Sequence, residues 1–102
     1  MPVVLPSEAY EEWKTSAQKW CLLQIDQQFK PLDEPLAVAA LIHYKGRRPD
    51  LDNALSSIAD CFQGLLWKDD NLIMSYDGSR LNKDNENPRV ELVVRPYSPA
   101  SI

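Results

Sequence analysis

No stretch of this sequence approaches the ~18 consecutive apolar residues that a membrane span requires, so no transmembrane segment is expected. Cysteine is scarce: Cys21 and Cys61 stand 40 positions apart among apolar neighbours, which is neither a disulfide framework nor a zinc-ligand spacing, and both read as reduced core residues. The start Met-Pro-Val-Val-Leu-Pro has no basic region and no long apolar run, so no secretory leader is expected and cytoplasmic residence follows as the expectation. Internal repeats are absent. An excess of basic residues is missing too: the formal charge is -4, which argues against a generic nucleic-acid binder. What is present, 102 residues with 44% hydrophobic and 25% charged, fits one soluble domain over 1–102 with a loose tail at 96–102. A domain of this size buries about 65% of its unfolded surface, a thin core that a partner subunit would supplement.

The charge is unevenly distributed. Positions 35–49 hold three bases and no acid, whereas 50–70 hold five acids and one base. His-Tyr-Lys-Gly-Arg-Arg, ending at Arg48, therefore runs straight into Asp50-Leu-Asp52. Such a junction is either a solvated polar loop or a phosphate-facing rim beside a cation-binding acidic pocket.

Ser7 after Pro6, followed by Glu8, Glu11 and Glu12, predicts a helix start, and apolar residues from Tyr10 to Phe29 at helical spacing extend it to about Gln28. The Trp13 and Trp20 pair, on one face of that helix, is expected to pack on a sheet or, alternatively, to make a dimer contact. Pro35 to Tyr44 is an apolar run without alternation, expected as a central strand covered on both faces. Asp50 or Asp52 then caps a second helix ending near Gly64. Two strands follow, Leu72 to Tyr76 continuing toward Arg80 and Val90 to Arg95, joined by a long hairpin loop over the turn formers of Asn82 to Pro88. The expected fold is α+β, order αβαββ, with a mixed three-stranded sheet packed by two helices.

Asp50 and Asp52, two apart where an extended segment meets a helix, can leave the chain on one side. Asp69 and Asp70 follow the second helix, where a strand-helix-strand unit is expected to return the chain beside the loop it left, so that three acids converge. Carboxylates with waters and substrate phosphate are what Mg2+ requires. Read separately, Asp-x-Asp before a helix is more often a cap and Asp-Asp-Asn after one more often a turn. An EF-hand is excluded, since no Gly or Glu stands at its required offsets from Asp50.

Taken together, Arg48-Pro-Asp-Leu-Asp-Asn53, Asp60, Gly64-Leu-Leu-Trp-Lys-Asp-Asp70 and Asn87-Pro-Arg-Val-Glu91 resemble the RusA family of Holliday-junction resolvases, over about Ser7 to Arg95. The spacing between the two acidic pairs agrees as well as the residues themselves. The resemblance implies a magnesium-dependent homodimeric endonuclease of recombination and repair, of prophage origin, that cuts four-way DNA junctions symmetrically. It assigns Asp50, Asp52 and Asp70 as catalytic, metal-holding acids, with Asn53, Asp69 and Asp60 in support. Asp60 serves either behind the metal ligands or simply at the helix-sheet boundary. Cationic candidates for DNA are Lys45, Arg47, Arg48, Lys68, Arg80, Lys83 and Arg89. Arg80 and Lys83 flank the expected hairpin tip, which reads equally as a mixed-charge solvated turn. His43 is a conceivable general base or a partly buried polar residue, and Trp67 either stacks on a base or packs in the core.

Two departures stand out. The family carries a Lys one turn after the second acid where this chain has Ser56, which cannot set a positive charge against the phosphate, although Lys68 or Lys45 could compensate. Family members also begin with a strand and a basic loop, whereas this sequence reads as starting almost at its first helix, with one sheet edge left uncovered. A catalytically degenerate DNA-binding or protein-interaction module is the alternative that these departures raise.

Overall fold

Leu36, Val38, Ala40 and Ile42, alternate residues of β2 (Leu36–Tyr44), are at most 5% exposed, and they form the floor on which the rest of the chain packs. The computed structural model describes residues 1–6 and 10–98, the side chains of 6 and 10–13 excepted. The cap expected at Ser7, Glu8, the side chains of Glu11, Glu12 and Trp13 and the tail beyond 98 lie outside the described residues, whereas Trp20 is described and is exposed rather than packed on the sheet.

The described elements are β1 (Pro2–Pro6), α1 (Tyr10–Gln24), β2, α2 (Leu51–Cys61), a 3-10 turn (Asp70–Leu72), β3 (Ile73–Ser75), β4 (Arg80–Lys83) and β5 (Arg89–Pro96). Order across the sheet is β1-β5-β2, with β3 and then β4 along the far side of β2. β5 is antiparallel to both β1 and β2, so β1 runs parallel to β2, as do β3 and β4. The α+β class therefore holds, with two helices on a mixed sheet of five strands rather than three.

Three expectations are corrected. The chain does not start at its first helix: β1 precedes it and covers the edge of β5. The last two strands are not a hairpin, because β4 and β5 lie on opposite sides of β2. The stretch toward Arg80 is not one strand, because Gly78 at φ +91° turns the chain out between β3 and β4. In that gap the Ala40 N–H donates to Ser79 Oγ at 2.9 Å.

The first helix stops at Gln24 rather than Gln28. Its Ala17 and Cys21 join Val3, Leu5, Ile58, Cys61, Phe62, Leu66 and Trp67 over the β2 floor in one core, which puts both helices on the same face. Trp67 is wholly buried, edge-on to Phe62 with ring centroids 6.1 Å apart, and its Nε1–H donates to the Ala59 carbonyl at 3.0 Å. It is a core residue and not a base-stacking platform. From Leu36 to Ile42 β2 is fully buried on one face; on the other Ala37 is buried as well, whereas Ala39, Leu41 and His43 are only partly buried, so the expected cover on both faces is incomplete.

Candidate active site

α2 begins because Asp50, extended at φ -81° and ψ 123°, accepts the Asn53 N–H on Oδ1 at 3.3 Å. Asp52 lies in the first turn, exposed, where a negative charge opposes the positive end of the helix dipole. Asn53 is exposed and its carbonyl accepts the Ser57 hydroxyl at 2.9 Å. Ser56 is exposed on the same helix and brings no cation.

Asp69 and Asp70 sit at the opposite end of the unit. Asp69 caps the 3-10 turn by accepting the Asn71 N–H at 3.0 Å, and the Asp70 N–H donates to Gln63 Oε1 at 2.9 Å, just past the C-terminus of α2. Register fixes the same point. Ile73 pairs with Leu36, the first residue of β2, whereas Asp50 follows Tyr44, its last. Further back, Leu32 brackets the returning chain through Leu32 N–H to Leu66 C=O at 2.8 Å and Lys68 N–H to Leu32 C=O at 2.9 Å. The eleven residues of α2 alone rise about 16 Å between the two acidic pairs.

A helix that returns antiparallel to its strand must deliver the chain to the strand's other end. The expectation that Asp70 comes back beside Asp50 and Asp52 is therefore corrected, and among the described residues no three of His, Cys, Asp and Glu gather to hold a metal. The donor chemistry suits a hard cation, but one chain does not assemble the donors. Asp60, near the end of α2, is exposed and paired with Lys14 at 3.5 Å.

The cations divide by partner. Lys45, Arg47 and Arg48 are exposed and have no carboxylate within ion-pair distance among the described residues. Their loop is anchored: the Asp84 N–H donates to Tyr44 C=O at 2.8 Å, and the Gly46 N–H donates to Asn85 Oδ1 at 3.2 Å. Lys83, paired with Tyr44 across the sheet, and Arg80, beside Leu41, are exposed on β4. Lys68 is held by Asp33 at 3.3 Å.

Arg89 is no free phosphate contact. Its Nε donates to Glu91 at 2.9 Å and its Nη1 to Asp84 at 3.2 Å. Backbone N–H groups of Asn87 and Glu86, with Arg89, hold the Asp84 carboxyl below its usual range, and the Arg89 hydrogen bond does the same for Glu91. His43 completes this network, with Nδ1 at 3.0 Å from Asn82 Nδ2 and Nε2 at 3.4 Å from Glu91. With its side chain only 12% exposed, His43 faces the sheet, which is the partly buried polar role. The 84–89 clamp on the basic loop was hidden in the sequence, where Asp84-Asn-Glu-Asn87 reads only as turn formers.

Comparison with known proteins gives one family. The model described as Endodeoxyribonuclease RusA matches residues 3–95. No curated protein matches the chain.

Proposed function

From the premise that this chain belongs to the RusA endodeoxyribonuclease family, a family of Holliday-junction resolvases, we propose that it is a Mg2+-dependent hydrolase of four-way DNA junctions working as a homodimer. Asp50 and Asp52 of one copy and Asp70 of a second copy would form each metal-holding, catalytic site. The observation that carries this reading is the basic loop Lys45–Arg48, whose cations have no ion pair among the described residues, running directly into two exposed carboxylates at the start of α2. Carboxylates without a nearby base would repel a phosphodiester; next to three free cations they can share one with a metal.

Two-fold symmetry supports pairing the acids across copies. Two-fold contact of the same surface, with the two copies running antiparallel, would bring one end of each chain to the other end of its mate twice, which yields two sites for the two strands to be nicked. Arg47 and Arg48 would hold the phosphate beside the site, and the Asp84–Asn85 clamp would keep their loop in place. Asp69 would orient the turn carrying Asp70, and Asn53 the turn carrying Asp50 and Asp52. When bound, the cation would lower the pKa of its water and stabilise charge on the phosphate.

Ser56 favours a second reading, a junction binder that no longer cuts, because no cation stands there to meet the developing phosphate charge. Cleavage of a labelled four-way junction separates the two. The nuclease reading expects symmetric nicks with Mg2+, none with a chelator, none from Asp70→Asn, and a faster rate from Ser56→Lys. Tight binding without cutting under all of these conditions would establish the binder instead.

A further inference from the structure

At the Asp70 end of the sheet a half-open cavity of about 570 Å³ lies between β3, the turn that follows it and the end of β5. Its walls include Ser75, Tyr76, Asp77, Arg95, Tyr97 and Ser98. The volume falls within the ~300–1,000 Å³ of small-ligand sites, and the lining sets two tyrosine rings, hydroxyls and charge beside the apolar Ala37, Met74 and Pro96. Arg95 is exposed and has no carboxylate within ion-pair distance among the described residues.

The two tyrosines differ in availability. Tyr76 packs against the core and forms a fixed wall, its phenol pushed up by burial and, less, by the charge of Asp70. Tyr97 is outside the core, with its backbone pinned by an N–H donated to Pro35 C=O at 2.9 Å. A half-exposed ring on a fixed backbone beside an unpaired guanidinium has the chemistry to hold one nucleotide, base on ring and phosphate on cation. Asp77, the one acid among the wall residues, could accept a base amino group.

We propose that this cavity receives a single unpaired nucleotide of branched DNA, with its base stacked on Tyr97, its phosphate at Arg95 and its amino edge toward Asp77. The proposal rests on the nuclease reading and extends it, since a base inside a duplex cannot present its face to a ring whereas one at a branch or bulge can. It would also explain preference for branched over linear DNA without any contact to base-pair edges.

The test uses the full chain, without divalent cation, on a duplex bearing one bulged fluorescent adenine analogue and on the same duplex fully paired. Wild type is expected to bind the bulge more tightly and quench its fluorescence. Tyr97→Ala should lose the quenching and about tenfold in affinity for the bulge, as loss of one stacked base implies, with paired-duplex affinity unchanged. Tyr97→Phe should keep both properties, and Arg95→Gln should weaken bulge binding. Wild-type-like quenching and affinity from a Tyr97→Ala variant that melts like wild type would overturn the pocket while leaving junction cleavage intact. Wild type that binds neither DNA would overturn both readings, and bulge binding through Tyr97 without junction cleavage would leave the pocket standing and remove the nuclease.

Discussion

Arg89 and Arg47 carry the same charge and have opposite fates. Two carboxylates neutralise Arg89 inside the fold, whereas Arg47 faces solvent on an anchored loop. Arg47→Gln should therefore lower the salt dependence of DNA binding by about one released counterion, whereas Arg89→Gln should leave that slope unchanged and lower the melting temperature. Titration of affinity against salt, with a thermal melt of each variant, checks both. The same network sets an acid limit. Glu91 and Asp84 titrate below the usual carboxylate range, so the stability they contribute is present above that range and lost as pH falls through their depressed values. Burial pushes the Cys21 and Cys61 thiols up from 9.0 to about 11, so their contribution is complete below pH 9 and lost as pH rises toward 11. Denaturant midpoints across pH should show a plateau that falls at both ends; a midpoint unchanged from pH 8.5 to 11 would contradict the buried thiols.

β1 shows why part of the fold was hard to read from sequence. Met1 and Val94 exchange backbone bonds, so odd residues of β1 face β5 while Pro2, Val4 and Pro6 turn their backbone to the free edge. Proline is harmless in exactly these places, because no ladder bond is expected of it there. Two prolines in five residues nonetheless mask the strand pattern, and the sequence reads as starting almost at its first helix. The Val4 edge groups are covered by one side chain: Gln24 accepts the Val4 N–H at 3.0 Å and donates to the Val4 carbonyl at 2.8 Å. Gln24→Ala should expose that edge and produce concentration-dependent association, detectable by light scattering. By contrast β2 and α2 were legible, since an apolar run and an Asp cap are local signals. At the core, Trp67→Phe leaves the Ala59 carbonyl without its donor and should cost about 1–3 kcal/mol in urea denaturation. The two acidic motifs were also legible as residues, but their placement depends on strand direction, which no local spacing encodes.

At the scale of the molecule the decisive property is polarity along β2. The domain is a slab of 37 × 36 × 18 Å, helices on one face, with Asp50 and Asp52 toward one end and Asp70 toward the other. An acidic chain of charge -4 gathers three of the cations left without an ion pair among the described residues in one loop, Lys45–Arg48, so a single copy offers DNA a small basic footprint and an incomplete set of metal ligands. Two copies supply both deficits at once. The direct measurement is complementation: Asp50→Asn and Asp70→Asn proteins, each silent alone, are mixed, allowed to exchange subunits, and assayed for nicking of a four-way junction with Mg2+. Half of the dimers should then be mixed, each with one intact site, and about a quarter of wild-type nicking should return. A mixture that forms mixed dimers and remains as silent as its components would contradict a site shared between copies.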